Sequence, residues 1–348
     1  MAFTCQNISV REDVITHSVS QATERPEWLE QRLEWFRELK FGIILHWGIY
    51  SLWDCCESWP LVPEDDWARA GEPKCWVERG RDLEVFQRDY WDLARQFNPV
   101  NLEPDAWEGA FAESGAKYVC FTTKHHDGFC MWDTKTTDYK IGGSLSPYKS
   151  DVTRLLFDAL RRAGLAVSVY FSKADWHCPY YWAPSPRPMG RGANTLNDPE
   201  TWERFVQYTH EQIRELMTNY GKIDILWLDA GWVRDEEDIR MAELVTMARE
   251  LQPGLLVANR TVGDFEDFVT PEREIPEGGL SVPWEACLPL GSNWKYVEGE
   301  PLRGVEEVAA ERSRVNALGG NFLLGVGPKP DGTLSDEVLA VLKGLGSD

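Results

Sequence analysis

Four apolar residues run straight into a carboxylate at Ile225-Leu226-Trp227-Leu228-Asp229. An unbroken apolar run of this kind reads as a strand buried on both faces, the usual state of a parallel sheet covered by helices. A carboxylate at its end is costly to bury without partners. The pattern recurs along the chain. Phe41 to Leu45 leads into His46, Tyr118 to Thr122 leads toward His125 and His126, and Leu255 to Asn259 leads into Arg260. Ala166 to Phe171 and Phe322 to Val326 are further strand-like runs. Helical patterns alternate with them: Pro26 to Lys40, Pro104 to Ser114, Asp151 to Ala163, Pro199 to Tyr220, Glu236 to Leu251, Val305 to Leu318 and Ser335 to Leu345. Strands alternating with helices make parallel crossover units. Six strands, with a seventh expected at Ser281 to Trp284, predict an α/β fold, a TIM-like (β/α)8 barrel that need not be regular. No Gly-rich nucleotide fingerprint follows the first strand, which argues against an open dinucleotide-binding sheet. Residues 1–25 are expected to form a loose lead-in and residues 26–348 one catalytic barrel domain.

Composition limits the partners. With 36 basic and 57 acidic side chains, the formal net charge of −21 excludes nucleic acid and anionic membrane as ordinary ligands. No window holds about 18 consecutive apolar residues, so no membrane span is expected. The N-terminus lacks a basic segment followed by an apolar one, which predicts a cytoplasmic chain with reduced thiols. The eight Cys follow no zinc-ligand or disulfide spacing. Residues 51–98 hold Trp53, Trp59, Trp67, Trp76 and Trp91. So aromatic a stretch is expected to be an ordered, irregular cover over one end of the barrel.

In such barrels the C-terminal strand ends carry the chemistry. Here they offer His46, His125, His126, Asp229 and Arg260. A carboxylate nucleophile or base, several hydroxyl-binding groups and a fixed positive charge suit a neutral polyhydroxylated ligand. Three His and one Asp also suit a metal. Against that, neighbouring residues on a strand point to opposite faces, so His125 and His126 would diverge unless the strand has already ended.

The chain resembles the α-L-fucosidases of glycoside hydrolase family 29. The most specific match is Lys124-His125-His126-Asp127-Gly128-Phe129. His46-Trp47-Gly48, Phe97-Asn98-Pro99, Tyr170-Phe171-Ser172, Trp227 to Asp229, Asn259-Arg260, Thr270-Pro271-Glu272 and Trp284-Glu285 follow in the family's order, and the matches span roughly residues 30–335. The resemblance implies a retaining exo-glycosidase that releases terminal α-L-fucose from an oligosaccharide or glycoconjugate through a covalent glycosyl-enzyme, without metal or cofactor. It places Asp229 on the nucleophile. His46, Trp59, His125, His126, Tyr170, Trp227 and Arg260 fall on sugar-binding positions, and Trp294 where an aromatic ring covers the C6 methyl. Glu272 is the expected acid/base, with Glu285 the second candidate and Glu274 a solvated charge.

Two departures stand out. Many members carry Glu-Trp-Tyr after the first strand, whereas this chain reads Ser58-Trp59-Pro60 after Glu57. A missing hydroxyl-binding Glu opens the pocket to a close relative of fucose, and Ser58→Glu is expected to lower the KM for a fucoside. Most relatives also continue into a β-sandwich, for which no sequence remains here. A non-catalytic sugar-binding barrel and a metal-dependent barrel hydrolase are the competing readings.

Overall fold

The computed structural model describes residues 25–182, 194–233, 239–258 and 265–347. Nearly all of the expected lead-in lies outside them, as do Asn259 and Arg260. The chain enters through helix α1 (Glu27–Leu39) and strand β1 (Phe41–Leu45). The short helix α2 (Lys74–Val77), then α3 (Leu83–Trp91) and α4 (Pro104–Glu113), precede β2 (Tyr118–Lys124). Next come α5 (Val152–Arg162), β3 (Ala166–Ser172), α6 (Pro199–Asn219), β4 (Ile225–Asp229), α7 (Met241–Leu251) and β5 (Leu256–Ala258). The chain ends with β6 (Glu285–Pro289), α8 (Val305–Ala317), β7 (Asn321–Val326) and α9 (Asp336–Leu345).

The strands form one parallel sheet in the order β5-β4-β3-β2-β1-β7-β6. Its two edges are joined by the segment from Asp267 to Arg273. The Asp267 N–H donates to the Val257 carbonyl at 2.9 Å on one side. On the other, Glu285 N–H donates to Val269 O, Cys287 N–H to Pro271 O and Arg273 N–H to Cys287 O, at 2.9–3.0 Å. This irregular eighth stave closes the ring. It escapes a hydropathy reading because Asp267, Pro271, Glu272 and Arg273 interrupt any apolar run. The seventh strand is Glu285–Pro289 and not Ser281 to Trp284, because Trp284 leads into it and pairing with β7 begins at Glu285.

Side-chain alternation divides the interior into two cores. Ile43, Leu45, Val119, Phe121, Val167, Val169, Leu226, Leu228 and Leu324 face outward into the layer under the helices. Ile44, Tyr118, Cys120, Tyr170, Ile225, Trp227 and Leu323 face inward and share a cluster with Leu29, Leu33, Phe36 and Leu39 of α1. Helix α1 therefore plugs the N-terminal end of the ring. Arg32 donates to Gly254 O at 2.7 Å and pairs with Asp224 at 3.2 Å, and Asn321 donates to Phe36 O at 2.7 Å. Gly42 has no side chain because Tyr118 occupies the space: a Cβ there would meet the ring at 2.4 Å.

The cover over residues 51–98 is ordered, as expected, but more helical than irregular. Its α3 starts at Asp82, whose carboxylate caps the Glu84 and Val85 N–H groups, and it buries Phe86, Gln87 and Tyr90.

Candidate active site

Inward alternation along β4 sends Ile225, Trp227 and Asp229 to the same face, so the column that fills the ring ends in a carboxylate at its open mouth. The Asp229 side chain keeps 18% of its surface exposed. The Tyr170 hydroxyl donates to Asp229 Oδ2, which stabilises the carboxylate charge. His126 Nε2 lies 3.8 Å from the same oxygen. Ala230, the next residue, is held at φ 71°. A left-handed conformation at a residue with a Cβ costs about 1–2 kcal/mol. The turn that aims Asp229 is thus strained, as functional sites often are.

His125 and His126 follow the last residue of β2, so both rings reach the same pocket, with centroids 4.1 Å apart. The condition set by the sequence for the two rings to converge is met, because the strand has ended at Lys124. Ser172 fixes the orientation of His126. Its hydroxyl donates to Ala174 O at 2.7 Å and so must accept from His126 Nδ1, also at 2.7 Å. With Nδ1 engaged by Ser172, Nε2 is the ring nitrogen that faces Asp229. His125 is held by Ser58, whose Oγ lies 2.6 Å from Nδ1. Burial pushes the His125 pKa down to about 4 against the opposing pull of Asp229, so the ring is neutral at physiological pH.

The remaining expected residues surround this centre. His46 sits edge-on to Tyr170 at 5.6 Å and stacks on Trp294 at 5.0 Å. Trp294 rests on β7 where Gly325 leaves room: a Cβ there would meet the indole at 2.6 Å. The Trp294 indole N–H donates to Glu272 Oε1 at 3.1 Å, which places Glu272 on the wall reached through Trp294 and His46. Trp59 lies 4.9 Å from His126 in an edge-to-face contact. Trp227 is 98% buried and stacks under Tyr170 at 5.3 Å, so it forms the floor. Glu274 is exposed. Arg260 lies outside the described residues.

Glu285 is not brought to the mouth. It opens β6, one layer below, where its carboxylate accepts from Tyr118 OH at 2.6 Å and Trp227 Nε1 at 2.8 Å. A carboxylate with both oxygens engaged under the floor is poorly placed to reach a leaving group. Glu57 does not take over the place of the missing Glu either. It is buried, and Oε1 accepts from the Lys295 N–H at 3.2 Å. Burial raises its pKa, with Lys295 and Arg273 opposing.

Sequence reasoning missed four contributors: Ser58 and Ser172 as partners of the histidines, and Trp176 and Trp232, which meet His126 at 5.2 and 4.9 Å. Ser172 carried a usable signal, since it ends β3 as Asp229 ends β4.

His125, His126 and Asp229 each offer a ligand atom within 4.8 Å of the others. The spacing admits a cation, so geometry alone leaves the metal reading standing.

A curled parallel barrel whose mouth gathers a strand-end carboxylate, three histidines and an indole wall is the layout of a barrel enzyme with its chemistry at the strand ends. The α-L-fucosidase family model matches residues 10–347. The chain belongs to that family. The α-L-fucosidase isoenzyme 1 of Paenibacillus thiaminolyticus matches with a TM-score of 0.74 and 34% identity, over 92% of this chain and 75% of that one. A Bacteroides thetaiotaomicron GH29 α-L-fucosidase, solved as a trapped covalent intermediate with 2-fluoro-fucosyl fluoride, matches with a TM-score of 0.72 and 25% identity, over 93% and 75% of the two chains. The tissue α-L-fucosidase of Homo sapiens is 27% identical over 354 residues, 92% of this chain and 70% of that protein. Among the described residues no helix is long and apolar enough to cross a membrane.

Proposed function

We propose that the protein releases terminal α-L-fucose from oligosaccharides or glycoconjugates by double displacement, with Asp229 as nucleophile and Glu272 as acid/base. The observation that supports this best is the Asp229 carboxylate at the mouth, hydrogen-bonded by Tyr170 and beside His126, with Glu272 held by Trp294, which stacks on His46 of the same pocket. In the first step an Asp229 oxygen bonds to the anomeric carbon as its bond to the leaving oxygen breaks, and protonated Glu272 gives that oxygen its proton. In the second step ionised Glu272 takes a proton from water, which attacks the anomeric carbon and frees Asp229. His46, His125, His126 and Trp59 hold the sugar hydroxyls, Arg260 adds a fixed positive charge, and the Trp294 ring face covers the C6 methyl. The trapped intermediate of the Bacteroides thetaiotaomicron enzyme is consistent with this order of events.

The test is a pair of variants assayed on an aryl α-L-fucoside with a good leaving group. Asp229→Gly should lose several orders of magnitude in turnover. Glu272→Ala should accumulate glycosyl-enzyme, and azide should restore turnover with retained configuration. Near-normal turnover of Asp229→Gly removes the nucleophile assignment, and azide that leaves Glu272→Ala unchanged removes the acid/base assignment. Ser58 in place of the family's Glu favours one second reading, an L-galactose-configured relative as the preferred sugar. Aryl glycosides differing only at C6 separate the two.

A further inference from the structure

Beside the mouth lies a cleft of about 450 Å³ lined by Arg88, Asp89, Trp91, Tyr139 and His177, among others. That volume falls within the usual range for small-molecule sites. Its wall is aromatic. The His177 imidazole stacks on Tyr139 with centroids 3.8 Å apart, and Trp91 meets His177 at 5.5 Å and Tyr139 at 6.3 Å. Its rim is charged yet internally balanced. Arg88 donates twice to Asp89 at 2.9 and 2.7 Å, Asp89 also pairs with Arg79 at 3.2 Å, and Asp92 pairs with Arg95 at 2.6 Å.

The cleft shares a wall with the catalytic pocket. Trp176 touches His126 and Trp59 on one side, and His177, the next residue, lines the cleft on the other. Their Cα atoms are therefore about 3.8 Å apart. The shared turn is rigid: Asp175 Oδ1 accepts from His177 N–H at 3.0 Å and Cys178 N–H at 2.8 Å. It also presses on Gly128, where a Cβ would meet Asp175 Oδ1 at 2.1 Å and His177 Cβ at 3.0 Å.

From this geometry we infer a second saccharide site, which takes a neutral sugar unit of the same glycan whose terminal residue sits on Asp229. Ring faces such as Trp91 cover the C–H faces of pyranoses, and a neutral imidazole offers a hydroxyl one donor and one acceptor. Rim charges that are already paired, on a chain of net charge −21, favour a neutral ligand over an anionic one. The inference rests on the proposed exo-hydrolysis.

Two assays separate it from that reading. A linear tetrasaccharide with one terminal α-L-fucose is compared with an aryl α-L-fucoside, using wild type, Trp91→Ala and His177→Ala, each checked by thermal melting. Loss of a stacking face should raise the KM for the tetrasaccharide about tenfold and leave the aryl fucoside within about twofold. Separately, binding of the trisaccharide left after fucose release is followed by saturation-transfer NMR, and it should be lost in Trp91→Ala. Equal changes for both substrates, or none for either, overturn the second site, as does trisaccharide binding that survives both substitutions. A wild type that leaves the aryl fucoside intact yet binds the trisaccharide through Trp91 overturns the exo-hydrolysis and keeps the site.

Discussion

Ser58 decides how His125 is presented. It is fully buried, and its hydroxyl engages His125 Nδ1 at 2.6 Å. Ser58→Ala leaves that nitrogen unpaired, which is worth about 1–3 kcal/mol. The expected result is a fall of about tenfold or more in kcat/KM on an aryl α-L-fucoside. The sequence pattern alone suggests that Ser58→Glu would repair a lost contact. The structure reverses that expectation, because a carboxylate would be forced into a buried space beside a neutral imidazole. Ser58→Glu should therefore raise KM, and a lower KM would count against this account of the pocket. Glu285 gives a second test. Glu285→Ala strands the Tyr118 hydroxyl and the Trp227 indole N–H beneath the floor. It should cost about 1–3 kcal/mol for each orphaned donor, read as a lower urea midpoint. Added azide should restore nothing if Glu272 is the acid/base as proposed, and rescue would exchange the two roles.

At the scale of the element, the loop after β2 hangs on a buried ion pair. Lys124 Nζ lies 3.2 Å from Asp175 Oδ2 and donates to Gln212 at 2.9 Å, with both charged side chains essentially sealed from solvent. Breaking such a pair from one side is strongly destabilising because the partner stays charged and buried. Lys124→Met should lose about 3–5 kcal/mol in denaturant unfolding. An unchanged midpoint would show that Tyr208 and the backbone N–H groups already satisfy Asp175. The element scale also shows what a linear reading can reach. Strands β1 to β5 and β7 were legible because each is an apolar run between helices, and the site was legible where a polar residue directly ends such a run, as at His46 and Asp229. The eighth stave was not, since its backbone pairs with β6 through residues no hydropathy pattern selects. Nor was the fate of Glu285, which depends on Tyr118 crossing the ring over Gly42, a contact between residues 167 positions apart.

Across the molecule, two groups of the Lys124–Phe129 motif act on stability in opposite senses below neutrality. Burial pushes Asp127 up to about 7 from 3.8, only partly opposed by bonds from Phe129 N–H and Tyr90 OH. A raised carboxyl pKa favours the folded state at low pH and loses that contribution as pH rises from about 4 through about 7. His125, depressed to about 4 from 6.5, acts in the opposite sense: its contribution is present above 6.5 and lost as pH falls toward 4. Asp127→Asn should therefore flatten the fall in unfolding free energy between about pH 4 and pH 7, by an amount on the order of a few kcal/mol, read as a flatter Tm against pH. Parallel melting curves for variant and wild type would reject this. The metal reading is tested at the same scale. Exhaustive chelation should leave turnover of an aryl α-L-fucoside unchanged, whereas loss of activity restored by one divalent ion would assign the His125, His126 and Asp229 cluster to that ion.

Helix α1 fills the N-terminal end of the ring, away from the mouth where Asp229 stands. Under the proposed reaction this sets an order of departures. The leaving glycan must withdraw through the mouth before water can enter, and fucose leaves last by the same route. While the glycosyl-enzyme waits, any sugar hydroxyl at the mouth competes with water for the anomeric carbon. Under the proposed double displacement, transfer to an acceptor glycan at the mouth should therefore compete with hydrolysis and grow with acceptor concentration.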